Sequence, residues 1–358
     1  MKKKLALLMA AILTVCAFTA CGNTGSTGAA EAESTGTLER LDSEAAATET
    51  AEKEASNDDN ISIVTTIFPE YDWVKNIVGD ASDKAEITML LDNGVDLHSY
   101  QPTAEDIMKV ASCDMFIYVG GESDEWVDDA LKEAVNKDMV VINLLDVLGS
   151  NVKEEEVVEG MEAEEEEEGE EAEEGEEEEV EYDEHVWLSL TNASRICDAI
   201  ADGLGKVDPD NAATYAENAN AYKQKLNTLD GEYKSATSAA ANKTLLFGDR
   251  FPFRYLVDDY GLDYYAAFVG CSAETEASFE TVAFLSGKVD ELGLKNIMTI
   301  EGADKKIAET IKNNNKTKDQ NILTLDSMQS TTSKDVESGT TYLSVMQANL
   351  DVLKEALQ

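Results

Sequence analysis

The chain contains 358 residues and has a formal net charge of −46 at pH 7, because 74 aspartates and glutamates outnumber 28 lysines and arginines. A surface this acidic excludes nucleic acid as a partner, since phosphates demand basic side chains. Cations and cationic molecules remain as candidate partners.

The N-terminus predicts a secreted lipoprotein. Three lysines, Lys2 to Lys4, precede an apolar stretch from Leu5 to Ala20, and Cys21 follows in the sequence FTACGN. The stretch is too short and wrongly flanked for a spanning helix of about 20 residues, so residues 1–20 are predicted to be a lipoprotein signal peptide. Cys21 would then be the first mature residue and carry the lipid that anchors the protein to the cell membrane. A signal cleaved elsewhere, with Cys21 unmodified, is the alternative.

Two segments have a strongly biased composition. Residues 21–60 are rich in Gly, Ser, Thr, Ala and Glu without apolar periodicity, which predicts a flexible tether. Residues 154–184 contain 20 glutamates and Asp183 but no lysine or arginine, which predicts a solvated loop. We expect this loop to concentrate cations through its charge, and a spacer with no part in binding is the alternative.

Residues 61–208 show the pattern of an α/β lobe. Short β-rich segments are separated by stretches long enough for crossover helices, which predicts a parallel sheet with helices on both faces. The predicted strands are 61–67, 85–91, 115–120 and 139–145.

Residues 209–241 predict one long amphipathic helix, because apolar residues recur there at alternating spacings of four and three. Residues 242–358 then repeat the α/β pattern. Strands are predicted at 244–248, 263–268, 295–300 and 321–326, and helices at 251–260, 278–292, 303–315 and 341–357. The predicted fold class is α/β, with two parallel-sheet lobes joined by a long rigid helix and a ligand site in the cleft between them.

Three further cysteines, Cys113, Cys197 and Cys271, have no metal-type spacing such as CxxC. We interpret them as small core residues, with one disulfide and one free thiol as a possible pairing, and not as ligands.

Polar side chains follow several predicted strands at their carboxyl ends, where ligand sites of open parallel sheets form. These are His98, Asp249, Glu301 and Asp326, and His185 lies just past the acidic segment. Imidazole nitrogens suit Zn²⁺, and carboxylate oxygens suit both Zn²⁺ and Mn²⁺. Each histidine alone could be a hydrogen-bonded structural residue, and each carboxylate could cap a helix.

Three stretches together resemble the metal-binding lipoproteins of ABC importers for zinc and manganese, the cluster A-I solute-binding family. VTTIFPEYDWVKNIVGD (64–80) resembles the family's opening strand and helix. DLHSYQPTAEDIMKVASCDMFIYVGGESDEWV (96–127) resembles its first ligand loop with the helix and strand that follow. DEHVWLSLTNA (183–193) resembles the DPH-hydrophobic-W pattern that holds the second ligand histidine.

The resemblance implies His98, His185 and Asp326 as metal ligands. At the third position family members have His or Glu, whereas this chain reads GDRFPFRYLVDDYGL from 248 to 262. Asp249 is the nearest coordinating side chain, but the register to YGL places Arg250 there. If Arg250 lines the cleft and pairs with a carboxylate, Glu301 or Glu276 could contribute, with water in the remaining position.

The resemblance further implies an extracytoplasmic, monomeric binder that delivers a divalent transition metal, zinc before manganese, to an ABC permease. Its zinc-type members carry a mobile loop rich in His and acidic residues where this chain has its Glu-rich segment. A metallohydrolase is disfavoured because no motif places a nucleophile or general base. A Ca²⁺-binding or metal-dependent surface adhesin is a third reading, which only the Glu-rich segment supports.

Overall fold

The computed structural model describes residues 60–162, 181–272 and 276–358. The predicted signal peptide, Cys21 and nearly all of the tether lie outside the described residues. Among the described residues, no helix is both long and apolar enough to cross a membrane. The strands are β1 (Ile61–Thr65), β2 (Ala85–Met89), β3 (Met115–Tyr118), β4 (Val140–Asn143), β5 (Thr244–Leu246), β6 (Arg250–Phe251), β7 (Asp263–Tyr265), β8 (Phe268–Val269), β9 (Asn296–Ile300) and β10 (Asn321–Leu325). The helices are α1 (Phe68–Val78), α2 (Ala104–Ser112), α3 (Trp126–Lys132), α4 (Leu144–Leu148), α5 (Leu190–Val207), α6 (Ala212–Ala239), α7 (Arg254–Tyr260), α8 (Phe279–Leu292), α9 (Lys306–Asn314), α10 (Ser333–Glu337) and α11 (Tyr342–Ala356).

Four parallel strands form the sheet of the N-terminal lobe, in the order β2-β1-β3-β4. β1 and β3 are almost entirely buried, as apolar runs such as ISIVT and MFIY require when helices cover both faces of a parallel sheet. Because the strands are parallel, their carboxyl ends meet at one edge. The loop after β2 carries His98, and the loop after β3 carries Ser123.

The C-terminal lobe contains a second parallel sheet. β9 pairs with β10 and β5 with β7, and a bridge between Phe247 and Met298 joins the two pairs. The carboxyl ends of these strands lead to Asp249, Glu301 and Asp326. The predicted fold class, two parallel-sheet lobes and a long helix, is confirmed.

The long helix α6 is fastened to both lobes. It runs for 28 residues after a short 3-10 turn at Pro209–Asn211. In its first half the Tyr222 hydroxyl donates to Asp72 of α1 at 3.1 Å, and in its second half the Tyr233 hydroxyl donates to the carbonyl oxygen of Met346 in α11 at 2.7 Å. Its buried face consists of Tyr215, Ala219, Tyr222, Leu226, Leu229, Tyr233 and Thr237.

Some boundaries differ from the predictions for local reasons. The predicted strand 139–145 ends at Asn143, because the Asn143 side chain accepts the backbone N–H of Asp146 at 3.1 Å and begins α4. The predicted strand 263–268 is split into β7 and β8. It breaks where the N–H groups of Ala267 and Phe268 turn to the carbonyl oxygen of Asp249, at 3.1 and 3.4 Å. β8 then pairs with β6, so the helix predicted at 251–260 begins only at Arg254.

Candidate metal centre

His98 is held in place by the turn that carries it. Residues Leu97–Ser99 form a 3-10 turn, and the Asp96 side chain caps it by accepting the backbone N–H of His98 at 3.1 Å. Leu97 is buried, which fixes the turn against the core. Nδ1 of His98 lies 2.7 Å from the hydroxyl of Ser123 and 3.6 Å from a carboxylate oxygen of Glu184.

His185 is fully buried at the point where the chain enters α5. One carboxylate oxygen of Asp183 accepts both its backbone N–H, at 2.9 Å, and its ring Nδ1–H, at 3.0 Å. The adjacent Trp187 donates its indole N–H to the carbonyl oxygen of Ser327 at 2.7 Å, which ties this segment to the C-terminal lobe. The ring of His185 is therefore held at Nδ1 by Asp183 and lies against the ring of Trp187, with 5.3 Å between the two ring centroids.

The two Nε2 atoms point at one another across 3.1 Å. The side-chain amide nitrogen of Gln329 contacts both of them, at 2.9 Å from His98 and 2.7 Å from His185. Because an amide NH₂ group only donates, this network assigns lone pairs to both Nε2 atoms and protons to both Nδ1 atoms. Burial and the neighbouring His185 lower the pKa of His98 to about 3, so its ring is neutral at pH 7.

Such a pair of convergent lone pairs suits a transition metal. Two imidazole nitrogens bound at about 2.0–2.1 Å to one tetrahedral Zn²⁺ lie about 3.3 Å apart, close to the separation observed here. Each ring also has a hydrogen-bond acceptor on its other nitrogen, as metal-binding histidines normally do.

A third possible donor lies beside the histidines, although the spacing of the cysteines predicted that none of them is a ligand. His98, His185 and Cys271 offer ligand atoms that all lie within 4.8 Å of one another, the one such group among residues 60–162, 181–272 and 276–358. Cys271 is a free, partly exposed thiol, and Cys113 and Cys197 are free and buried, so no disulfide joins these three cysteines. The signal that could have found Cys271 is its position just after a strand of the C-terminal lobe, close to the end of β8.

Asp249 has its carboxylate engaged elsewhere. One oxygen accepts the backbone N–H of Arg250 at 3.0 Å and the other accepts that of Ile300 at 3.1 Å, so the side chain links the ends of β5 and β9. Burial raises the pKa of Asp249. Arg250 pairs with the carboxylate of Asp96, the residue that caps the His98 turn. Asp249 therefore does not join the group formed by the two histidines and Cys271.

Glu301 and Asp326 shape the turn that presents Gln329. Glu301 accepts the backbone N–H of Ser327 at 2.7 Å, the Ser327 hydroxyl at 2.6 Å and the backbone N–H of Gln329 at 3.3 Å. Asp326 accepts the backbone N–H of Met328 at 2.8 Å. Burial and the nearby Asp326 carboxylate raise the pKa of Glu301. Neither carboxylate joins the group of three donors, and Glu276 is exposed.

Both ends of the Glu-rich segment differ from the expected solvated loop. Glu154 and Tyr182 form an antiparallel bridge, and the N–H of Glu162 donates to the carbonyl oxygen of Ala267 in the C-terminal lobe at 2.9 Å. Glu156 pairs with Arg254 at 3.2 Å. Residues 163–180 lie outside the described residues, so the expectation of a solvated loop there stays a prediction.

The chain is similar in sequence to known zinc-uptake proteins. Residues 63–356 match the family described as "Zinc-uptake complex component A periplasmic" (ZnuA). The chain is 32% identical over 302 residues to the high-affinity zinc uptake system protein ZnuA of Bacillus subtilis, covering 84% of this chain and 89% of that protein. It is 30% identical over 311 residues to the zinc-binding protein AdcA of Streptococcus pyogenes, covering 85% of this chain but only 58% of AdcA.

A solved structure shares the fold. The zinc-bound ZnuA-like domain of Streptococcus pneumoniae AdcA superposes with a TM-score of 0.64 at 29% identity, covering 83% of this chain and 99% of that domain. The chain thus spans little more than half of full-length AdcA but nearly all of its ZnuA-like domain.

Proposed function

The chain belongs to the family of periplasmic zinc-uptake components, and we propose that it captures Zn²⁺ outside the cytoplasm and delivers it to the permease of an ABC importer. Its cargo site would be built on His98 and His185. The protein would act as a binder without catalysis, anchored to the membrane through a lipid on Cys21.

One observation carries this proposal: the Nε2 atoms of two imidazoles converge on a single point, and each ring is oriented by a partner on its other nitrogen. Nitrogen donors of this kind favour Zn²⁺ over Mn²⁺ in the usual affinity order. Ca²⁺ and Mg²⁺ take oxygen ligands, so they would gain little at such a point. The relatives named for zinc support the same metal.

The carboxylates Asp249, Asp326 and Glu301 stay predictions as ligands. In the present arrangement each one accepts backbone N–H groups, and recruiting any of them would require those hydrogen bonds to be exchanged for a metal bond. Water could fill a position that no protein group occupies.

The test is zinc binding by the full chain. Native mass spectrometry should show one tightly bound Zn²⁺ per wild-type chain, and competition with a chromogenic chelator should rank Zn²⁺ above Mn²⁺. The double variant His98→Ala/His185→Ala should lose the tight site while its far-ultraviolet circular dichroism stays unchanged. Asp129→Ala, which removes a carboxylate of α3 that is 87% exposed, serves as the control and should bind as wild type does. Undiminished affinity in the double variant would refute the site.

A further inference from the structure

The thiol of Cys271 lies beside the two imidazoles for a structural reason. It follows Gly270, where a Cβ atom would be 2.9 Å from Cε1 of His185 and 2.9 Å from the carbonyl oxygen of Phe251. Only glycine permits so close a passage of the backbone, and this passage brings the next residue to the imidazole pair. The backbone N–H of Cys271 donates to a carboxylate oxygen of Glu155 at 3.4 Å, which helps to hold the turn.

The residue in register with the family's third ligand cannot bind a metal here. Arg250 is always protonated and has no acceptor, and its guanidinium is paired with Asp96 and donates to the carbonyl oxygen of Ser272 at 3.4 Å. These contacts place the guanidinium against the backbone next to Cys271. At the position of the family's usual ligand, the C-terminal lobe therefore presents a guanidinium that is held by Asp96 and by the carbonyl oxygen of Ser272. The thiol of Cys271 belongs to the residue just before Ser272.

We propose that Sγ of Cys271 is the third protein ligand, so that the cargo site is a His₂Cys centre. This assignment rests on the proposed function, since it names a further ligand of the same site. On binding, the S–H bond breaks, the sulfur keeps the electron pair and forms the bond to Zn²⁺, and the proton leaves to solvent. The fourth position would be filled by water or by a carboxylate.

A thiolate ligand has a consequence for selectivity. Sulfur is a soft donor that suits Zn²⁺, whereas Mn²⁺ prefers carboxylate and water. The carboxylates of Asp183, Glu184 and Glu155 act electrostatically on the Cys271 thiol, and their negative charges also attract a divalent cation to this point.

X-ray absorption at the zinc edge of the loaded full chain tests the proposal directly. A sulfur ligand scatters at about 2.3 Å and is distinct from imidazole nitrogen at about 2.0–2.1 Å. We expect one sulfur in the wild type and none in Cys271→Ala. The cobalt-loaded wild type should also show a thiolate-to-metal charge-transfer band that the variant lacks.

The affinity of the Cys271 variant for Zn²⁺ and Mn²⁺ is the second quantity to measure. Loss of a direct ligand should exceed the about 10–100-fold effect of an outer-shell change, so Cys271→Ala should weaken Zn²⁺ binding by more than about 100-fold. Mn²⁺ binding should change far less, and the Zn²⁺/Mn²⁺ selectivity should fall. Cys197→Ala, which removes a buried thiol of α5, is the matched control and should keep the sulfur signal and the affinity.

The outcomes separate the two proposals. A wild-type chain that binds Zn²⁺ tightly without a sulfur ligand, or a Cys271→Ala variant with wild-type affinity, would overturn the Cys271 assignment alone. Asp249→Ala and Glu301→Gln would then identify the missing donor. A wild-type chain that binds no Zn²⁺ would overturn the proposed function and this assignment with it.

Discussion

Replacing Asp183 by asparagine should weaken zinc binding although Asp183 is not a proposed ligand. Its carboxylate accepts the Nδ1–H of His185 at 3.0 Å, and both side chains are at most 3% exposed. A buried carboxylate makes the imidazole a stronger donor to the metal and fixes its tautomer. Asparagine keeps the shape of the side chain but removes the charge.

The size of the effect follows from this geometry. Changes to such outer-shell partners typically weaken metal binding by about 10–100-fold, or about 1.4–2.7 kcal/mol. Ser123 has the same role for His98 but offers a neutral hydroxyl at a partly exposed position. A neutral hydrogen bond contributes about 0.5–1.5 kcal/mol, so Ser123→Ala should weaken binding by only about 2–10-fold.

The assay is competition for Zn²⁺ with a chromogenic chelator at pH 7, on Asp183→Asn, Ser123→Ala and wild type in parallel. Thermal unfolding of the metal-free proteins would show whether any loss comes from misfolding. Wild-type affinity in Asp183→Asn, or a larger loss in Ser123→Ala, would refute the role given to the buried carboxylate.

Two other predictions concern charge. Replacing the 13 glutamates of residues 163–180 by glutamine should leave the equilibrium zinc affinity nearly unchanged but slow metal capture at low ionic strength, where electrostatic fields reach about 30 Å at 0.01 M salt. Stopped-flow mixing at low and high salt would detect the slower capture. Capture rates of the variant and the wild type that are equal at both salt concentrations would contradict this prediction. Burial raises the pKa of the Glu70 carboxyl well above 4.5. Between about pH 4.5 and the folded-state pKa, the folded protein therefore keeps a proton that the unfolded chain releases. The free energy of unfolding falls as the pH rises through this range. Glu70→Gln should therefore gain stability relative to wild type over that range in urea unfolding, and a constant difference from pH 4.5 to pH 8 would show that Glu70 does not titrate this way.

The sequence predicted the elements better than it predicted the site. Alternating β-rich and helical segments depend on local periodicity, and the two sheets and α6 followed from it. His98 and His185 were predicted as candidates because histidine is rare in this chain and both lie at loop positions, and the structure brings their rings together. Gln329 was missed because an amide is not a standard zinc ligand, and nothing in LTLDSMQS shows that its turn reaches the imidazoles.

Cys271 was missed for a different physical reason. Spacing along the chain detects cysteine ligands that share one loop, whereas the Cys271 thiol meets the imidazoles only through tertiary structure. The decisive contact is the approach of Gly270 to His185, and it depends on the short β6–β8 pair that the sequence did not predict. Arg250 was anticipated as an alternative, but its partner Asp96 lies 154 residues away and could not be chosen from the sequence.

Charge and selectivity are separate properties of this protein. A net charge of −46 attracts every cation, including the oxygen-preferring Ca²⁺ and Mg²⁺, so it cannot select zinc. Selection would come from the donor atoms of the proposed site, the two imidazoles together with the Cys271 thiolate. The side-chain amide of Gln329 would add a cost that every incoming ion must overcome. Displacing it breaks two hydrogen bonds, at about 0.5–1.5 kcal/mol each, which lowers the affinity for any incoming ion by about 5–150-fold. A metal that forms strong bonds to both nitrogens still binds tightly after this loss, whereas an ion that prefers oxygen has nothing to offset it. The amide would thus restrict the proposed centre to metals that bind imidazole well, whichever cations the acidic surface attracts.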